Sequence, residues 1–294
     1  MANLRDIRRR IKSVSNTAQI TKAMQLVASA KMKKAQNQAL AGRDYAMELL
    51  RFVADLQGSD LGGDAHPLLG EPKEGRELVL VVSTDRGLCG GLNTNLLKKL
   101  RQEVSKDAHF VAVGSKLRQT LMKSGSEIIA DWQIGDPIPF SAARPIAKLL
   151  TDKFLSGEYG KVTVVFNKFV TTLTQTPRVV QLLPIDSDRV LTESAKYQKE
   201  VDGMEPASNN DYIFEPGVEG VLDTLLPLYI NYMVYQVLVE ARASEHSARM
   251  VSMKAATDNA GDIVKALTLE YNKARQAAIT SELLEITTAQ KAME

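Results

Sequence analysis

Two long stretches without proline, one at each end of the chain, restrict its fold more than any other feature. Residues 2–57 hold a single glycine, Gly42, and residues 228–294 hold only Gly261. Helix interiors exclude proline and disfavour glycine, so each stretch is predicted to form one continuous helix. At 1.5 Å per residue the second would reach about 100 Å, several times the width of a small domain. Most of such a helix cannot be buried against its own globular part. A chain built this way works by its length and by what it touches.

The N-terminal stretch carries a 3-4 spacing through Leu4, Ile7, Ile11, Val14, Ala18, Thr21, Gln25, Ala28, Met32, Ala35, Ala39, Gly42, Ala46, Leu49, Val53 and Leu56. Only Thr21, Gln25 and Gly42 break its apolar character, which marks a coiled-coil seam. Ile20, Met24 and Val27 form a second apolar strip off that seam, and a strip left exposed by a two-helix hairpin implies a surrounding protein. The C-terminal seam runs through Val237, Ala241, Ser244, Ala248, Val251 and Ala255, then drifts to Ile263, Leu267, Ala274 and Ala278. Both seams are rich in small residues, so they pair most simply as an antiparallel coiled coil.

Between the helices the pattern changes. Gly58, Gly62, Gly63, Pro67, Gly70, Pro72 and Gly75 mark a loop over 58–75. Strands are then predicted at Leu78–Val82, Phe110–Val113, Glu127–Ala130, Val162–Phe166 and Val179–Leu183, with helices at about Thr94–Val104, Lys116–Lys123 and Pro145–Leu155. Alternating strands and helices predict a Rossmann-like parallel sheet. The fold class is α/β: a long antiparallel coiled coil of the two terminal helices with an inserted parallel-sheet domain. The expected segments are 1–57 (coiled-coil helix), 58–75 (loop), 76–211 (α/β domain) and 212–294 (coiled-coil helix). Residues 186–211 are polar and read as an excursion.

The net charge of +2 conceals a polarity. Residues 1–43 contain ten Lys/Arg and one acid, Asp6, so this segment alone is strongly basic and suits an acidic partner. The single cysteine, Cys89, excludes an intrachain disulfide and suits a reducing compartment. No apolar run is long enough to span a membrane. Arg8-Arg9-Arg10 followed by Ala28-Ser29-Ala30 imitates a signal peptide, but the intervening Ser13, Asn16, Gln19 and Lys22 disqualify it.

Signals for chemistry are weak. Asp85-Arg86-Gly87-Leu88-Cys89-Gly90-Gly91-Leu92-Asn93 follows a strand and precedes a helix, where α/β folds bind phosphates. It lacks the spacing of the dinucleotide fingerprint and of the P-loop. A tight turn with Asn93 or Thr94 capping the helix explains it equally. His66, His109 and His246 stand apart and make no zinc spacing. No nucleophile or paired-carboxylate signature is present, so no catalytic residue, cofactor or metal is expected. The basic helix lacks the interleaved aromatics of a nucleic-acid binder.

Three blocks carry a specific resemblance: Leu4–Gln36 (LRDIRRRIKSVSNTAQITKAMQLVASAKMKKAQ), Ser83–Asn93 (STDRGLCGGLN) and Ser244–Thr280, with SEHSARMVSMKAATDNAGDIV and LTLEYNKARQAAIT. They closely resemble the gamma subunits of F-type ATP synthases, in matching order and spacing. The resemblance implies a central rotor shaft inside a hexamer of alpha and beta subunits, with the epsilon subunit and the membrane ring of c subunits below. It implies coupling of ion flow to ATP synthesis without a catalytic site in the shaft itself. By the same match, Arg8, Arg9, Met24, Arg86, Cys89, Arg249, Gln276, Thr280 and Glu285 are expected to contact the hexamer, and Tyr212 and Glu215 the membrane ring. The absence of a plastid-type cysteine pair implies no thiol control of that kind. The absence of a transit peptide before Ala2 suggests a bacterial protein, peripheral on the cytoplasmic face of the inner membrane. The sparsely charged tail Gln276–Met293 suits a tip turning in an apolar sleeve.

Two other readings remain at this stage. One is a nucleotide-binding α/β enzyme with helical dimerisation arms. The other is a basic coiled-coil adaptor on nucleic acid.

Overall fold

A computed structural model of the chain describes residues 4–42, 45, 49, 66–186 and 217–293. Its elements run α1 (Leu4–Ala41), β1 (Arg76–Val82), α2 (Leu92–Glu103), β2 (His109–Val113), α3 (Ser115–Lys123), β3 (Ile128–Trp132), a 3-10 turn (Phe140–Ala142), α4 (Ala143–Leu155), β4 (Tyr159–Phe169), β5 (Gln175–Leu183) and α5 (Val218–Met293). These residues divide into two compact units, Met1–Ser29 with Arg249–Glu294 and Ala30–Ala248.

The first unit is a helix pair. Arg8 donates to the Tyr271 hydroxyl at 2.8 Å, and the Thr21 and Thr257 hydroxyls lie 2.8 Å apart. Moving forward along α1 therefore means moving backward along α5, and the pair is antiparallel. Every expected α1 seam position from Leu4 to Ala28 is buried or half-buried, while the flanking charged positions are exposed. On α5 the expected phase needs correction. Ala255 and Ile263 face solvent, and the inward positions are Met253, Thr257, Ala260, Val264, Leu267, Tyr271, Ala274 and Ala278. That set keeps a strict 4-3 alternation. Its polar member, Thr257, is satisfied by Thr21 and by the Met253 carbonyl, so an apolar count passes over it.

The second unit is a three-layer α/β sandwich. Its sheet has the order β3-β2-β1-β4-β5. Strands β1 to β4 pair in parallel, as the alternation of apolar strands and helices predicts. β1 (RELVLVV) is apolar and buried from Leu78 to Val82 because both faces are covered there. Val79 and Val81 pack under Leu96 and Leu100 of α2 and Leu117 and Leu121 of α3. On the other face Leu78, Leu80 and Val82 join Ile146 and Leu150 of α4 and Leu226, Ile230 and Val234 of α5. β5 pairs antiparallel with β4. Only residues 170–174 connect them, and a parallel return needs a crossover of about a dozen residues or more.

α5 begins at Val218, directly after Gly217, and Pro227 lies inside it. α1 ends at Ala41 with a turn at Gly42, so the single helix expected over 2–57 is interrupted there, as the helix-weakening glycine allows. Most of the expected helix beyond Gly42, the expected loop over 58–65, the excursion 187–211, Tyr212 and Glu215 lie outside the described residues.

Candidate functional site: contact surfaces and a charged junction

Three places in the molecule carry features that a folded core alone does not require. The first is the outer face of the helix pair. Ile20 and Val27 are 61% and 57% exposed, and Leu26, which the 3-4 count passes over, is 60% exposed. Met24 between them is half-buried. Arg9 is exposed and pairs with Asp6 at 3.3 Å, while Arg8 also lies over the Tyr271 ring. Arg249 is half-buried.

The second is the end of α5. The antiparallel register sets Leu4 level with Ala274, so α5 continues past the described start of α1. Gln276, Thr280 and Glu285 are exposed there, and so are Ile279, Leu283, Leu284 and Ile286. Thr280, Thr287 and Thr288 donate their hydroxyls to carbonyls one turn back. That satisfies them within the helix and leaves a surface dominated by methyl groups.

The third is the glycine loop between β1 and α2, in the second unit. Leu88 sits at φ 63°, a left-handed conformation that costs a non-glycine residue about 1–2 kcal/mol. Its side chain is 60% exposed. Cys89, expected at the partner surface, instead turns inward: it is 3% exposed and packs on Leu92 and Ala248. Asn93 and Thr94 do not cap α2; Gly91 occupies the N-cap without a side-chain bond. Asn93 reaches back instead, donating to the Thr84 hydroxyl at 2.8 Å and to the Cys89 sulfur at 3.6 Å. The Thr84 hydroxyl in turn donates to the Arg86 carbonyl at 2.8 Å. The surface groups of this loop are therefore Arg86 and Leu88.

Beneath the loop lies a charged junction that sequence reasoning missed. Arg242 of α5 pairs through Nε with Asp136 at 3.2 Å, through Nη1 with Glu245 at 2.9 Å, and faces Asp85 at 3.9 Å. Its Nη2 donates to the Ile134 carbonyl. The second Asp136 oxygen accepts from His246 Nε2 at 3.0 Å and from Lys31 of α1 at 3.2 Å. An ionised carboxylate only accepts, so the imidazole proton sits on Nε2. No periodicity exposes this cluster, since its members come from four separate elements.

The Asp136 carboxyl is held well below the usual carboxylate range. The hydrogen bond from His246 is the main cause, opposed by burial and reinforced by the Arg242 guanidinium and by Lys31. A carboxyl depressed by folding contributes stability that is present above its unfolded value of about 4 and is lost as pH falls through the folded value. The gap in unfolding midpoint between the unsubstituted chain and Asp136→Asn is thus expected to be widest near neutrality and to narrow below about pH 4. Urea titrations of both chains across that range check this, and a constant gap would refute it.

The junction also settles what occupies the crevice where α/β folds bind nucleotides, outside the carboxyl ends of the strands. Ser83, Asp85, Val113 and Gly114 at those ends meet Leu238, Ala241, Arg242 and Glu245 of α5 around a cavity of about 10 Å³. That holds one water at most. The helix therefore packs over the strand ends at this crevice. Each histidine sits against a single carboxylate: His66 with Asp223, His109 with Glu127 and His246 with Asp136. Among the described residues no group of His, Cys, Asp and Glu is arranged to hold a metal ion, and no helix is long and apolar enough to cross a membrane.

Comparison with known proteins agrees with the pattern of elements. A family model described as ATP synthase matches residues 3–293. A protein named ATP synthase gamma chain from Akkermansia muciniphila is 48% identical over all of both chains. One of the same name from Opitutus terrae is 44% identical over 99% of this chain and 98% of its own. Among solved structures, a chain of the Euglena gracilis mitochondrial ATP synthase, in an OSCP/F1/c-ring assembly, superposes with a TM-score of 0.67 at 19% identity, covering 99% of this chain and 94% of that one. That likeness concerns the fold. The end-to-end identity to the bacterial relatives and the match of the family model place this chain in the ATP synthase gamma chain family.

Proposed function

We propose that this chain is the central rotor shaft of a bacterial F-type ATP synthase, coupling ion-driven rotation of a membrane ring to ATP synthesis and hydrolysis in a hexamer of alpha and beta subunits. The central-stalk role follows from membership of the family. In this reading the chain has no catalytic site of its own. It is a peripheral protein on the cytoplasmic face of the inner membrane, with the epsilon subunit and the ring of c subunits at its foot, where Tyr212 and Glu215 make contact.

The observation that carries the reading is the helix pair together with the tail that outruns it. A seam unbroken from Leu4 to Ala28 stiffens the pair against twisting. The tail beyond Ala278 offers exposed leucine, isoleucine and threonine, and its sequence holds only Glu282, Glu285, Lys291 and Glu294 as charged side chains. Apolar contact is non-directional, whereas paired charges fix one geometry. A tip of this composition can turn against a surrounding sleeve without locking at one angle. Met24, Arg249, Gln276, Thr280 and Glu285 then meet the sleeve and its catch. Arg8, Arg9 and the Arg86–Leu88 tip, with Cys89 beneath it, face acidic levers on beta.

Purification of the tagged chain from membranes, with quantitative mass spectrometry of what accompanies it, tests this. Three alpha and three beta subunits per chain are expected. Absence of the hexamer, with membrane-coupled ATP synthesis intact after deletion, would sink the proposal.

A further inference from the structure

The glycine loop is held more firmly than a surface turn needs. Asp85, its first residue, accepts from the Ser115 amide at 3.1 Å through its carboxylate and from the Ser115 hydroxyl at 2.8 Å through its carbonyl. Arg242 faces the other carboxylate oxygen of Asp85 at 3.9 Å. Arg242 is itself fixed from three further sides by Asp136, Glu245 and the Ile134 carbonyl. Glu245 is buried, and Asp136 is tied in turn to His246 and Lys31. At the far end of the loop Cys89 is wedged against Ala248, six residues along the same helix from Arg242. Leu88 between these two anchors keeps its left-handed backbone and its exposure. Backbone strain persists only where the surroundings over-determine it, and it collects at functional contacts.

We infer that Arg242 is a positioning residue: anchored by Asp136 and Glu245, it fixes Asp85 and so presents the Arg86–Leu88 tip in one geometry to a partner. The planar guanidinium suits this because it binds Asp136, Glu245 and Ile134 through separate nitrogens at once, which an ammonium cannot do. The inference rests on the shaft reading for what the tip touches, and on the loop alone for how it is held.

Cys89, the only cysteine of the chain, reports the state of the loop, because its buried thiol reacts only when the loop opens. In the full-length purified chain, Arg242→Met is expected to raise the rate of alkylation by N-ethylmaleimide on the order of tenfold, with a smaller rise for Arg242→Lys. Asp136→Asn, which removes one anchor and leaves the guanidinium, is the second variant should Arg242→Met fail to fold. Urea unfolding run in parallel separates loop opening from global unfolding. An alkylation rate unchanged in both variants, or one that rises only as far as global stability falls, overturns the inference. In the assembled complex, Arg242→Met is expected to lower kcat for ATP hydrolysis severalfold with KM unchanged, and Arg242→Lys to restore part of it. An unchanged kcat beside a raised alkylation rate would overturn the positioning role. The alkylation arm needs no partner, so failure to assemble a hexamer counts against the shaft reading and leaves this arm to decide on its own.

Discussion

Ala248→Pro is expected to abolish ATP-driven ion pumping in membrane vesicles while the complex still assembles in part. Position 248 lies deep inside α5, where proline removes the N–H that donates to the Ser244 carbonyl and drives its ring against that carbonyl, at a cost of about 3 kcal/mol or more. The damage would not stay local. Ser244 is fully buried and donates to the Asn167 carbonyl at 2.9 Å, and Ser247 donates to the Thr172 carbonyl. Ala248 itself supports Cys89 and Leu92. A kink here pulls α5 away from both the glycine loop and the β4–β5 hairpin. Ala248→Ser, which keeps the backbone bond, is the control and should pump nearly as well as the unsubstituted chain. Normal pumping by the proline variant would mean that stiffness of this helix is not what transmits the motion. Pro227 is the tenth residue of the same helix, so only a short segment of helix precedes it.

Gly114→Ala should destabilise the sheet domain far more than Gly125→Ala. Gly114 ends β2 at φ 90°, and an added Cβ would lie 2.2 Å from the Ser83 carbonyl oxygen at the end of β1. Neither strand can yield, because the Ser83 amide donates to Val113 and the Gly114 amide to Trp132. Positive φ and backbone overlap together should cost roughly 3–5 kcal/mol. Gly125 provides the comparison: its φ is 74°, but a Cβ there meets nothing within 4 Å. Gly125→Ala should therefore cost only about 1–2 kcal/mol, the conformational penalty alone. Urea unfolding of the two variants measures the difference, and equal losses would refute the steric account. The same close approach brings β1 and β2 together where α5 closes the crevice, so this variant is also expected to lose the complex.

Much of the architecture was legible in the sequence because it rests on periodicity. The α1 seam at 3-4 spacing and the apolar strand runs each repeat a local rule, and local rules survive without knowledge of the neighbours. Ala255 and Ile263 show the limit of periodicity. Both are more apolar than Thr257, yet Thr257 lies in the seam because a threonine on the partner helix satisfies its hydroxyl. The orientation of β5 depended on the length of its five-residue link more than on its composition. Leu88 reads in sequence as an ordinary apolar residue in a glycine-rich turn. Only its backbone angle and exposure distinguish it.

By itself, then, the sequence determined that two long terminal helices would pair, with an α/β domain inserted between them along the chain, and three matching blocks tied the chain to one family. Tertiary structure alone decided that Arg242, Asp136, Asp85, His246 and Lys31 meet, that Cys89 faces inward, and that α5 packs over the strand ends at the crevice. The physical reason is distance along the chain. Helix pairing and strand patterning are set by residues two to four apart, whereas the junction joins groups as far apart as Lys31 and His246. Nothing local to any one of them specifies the others.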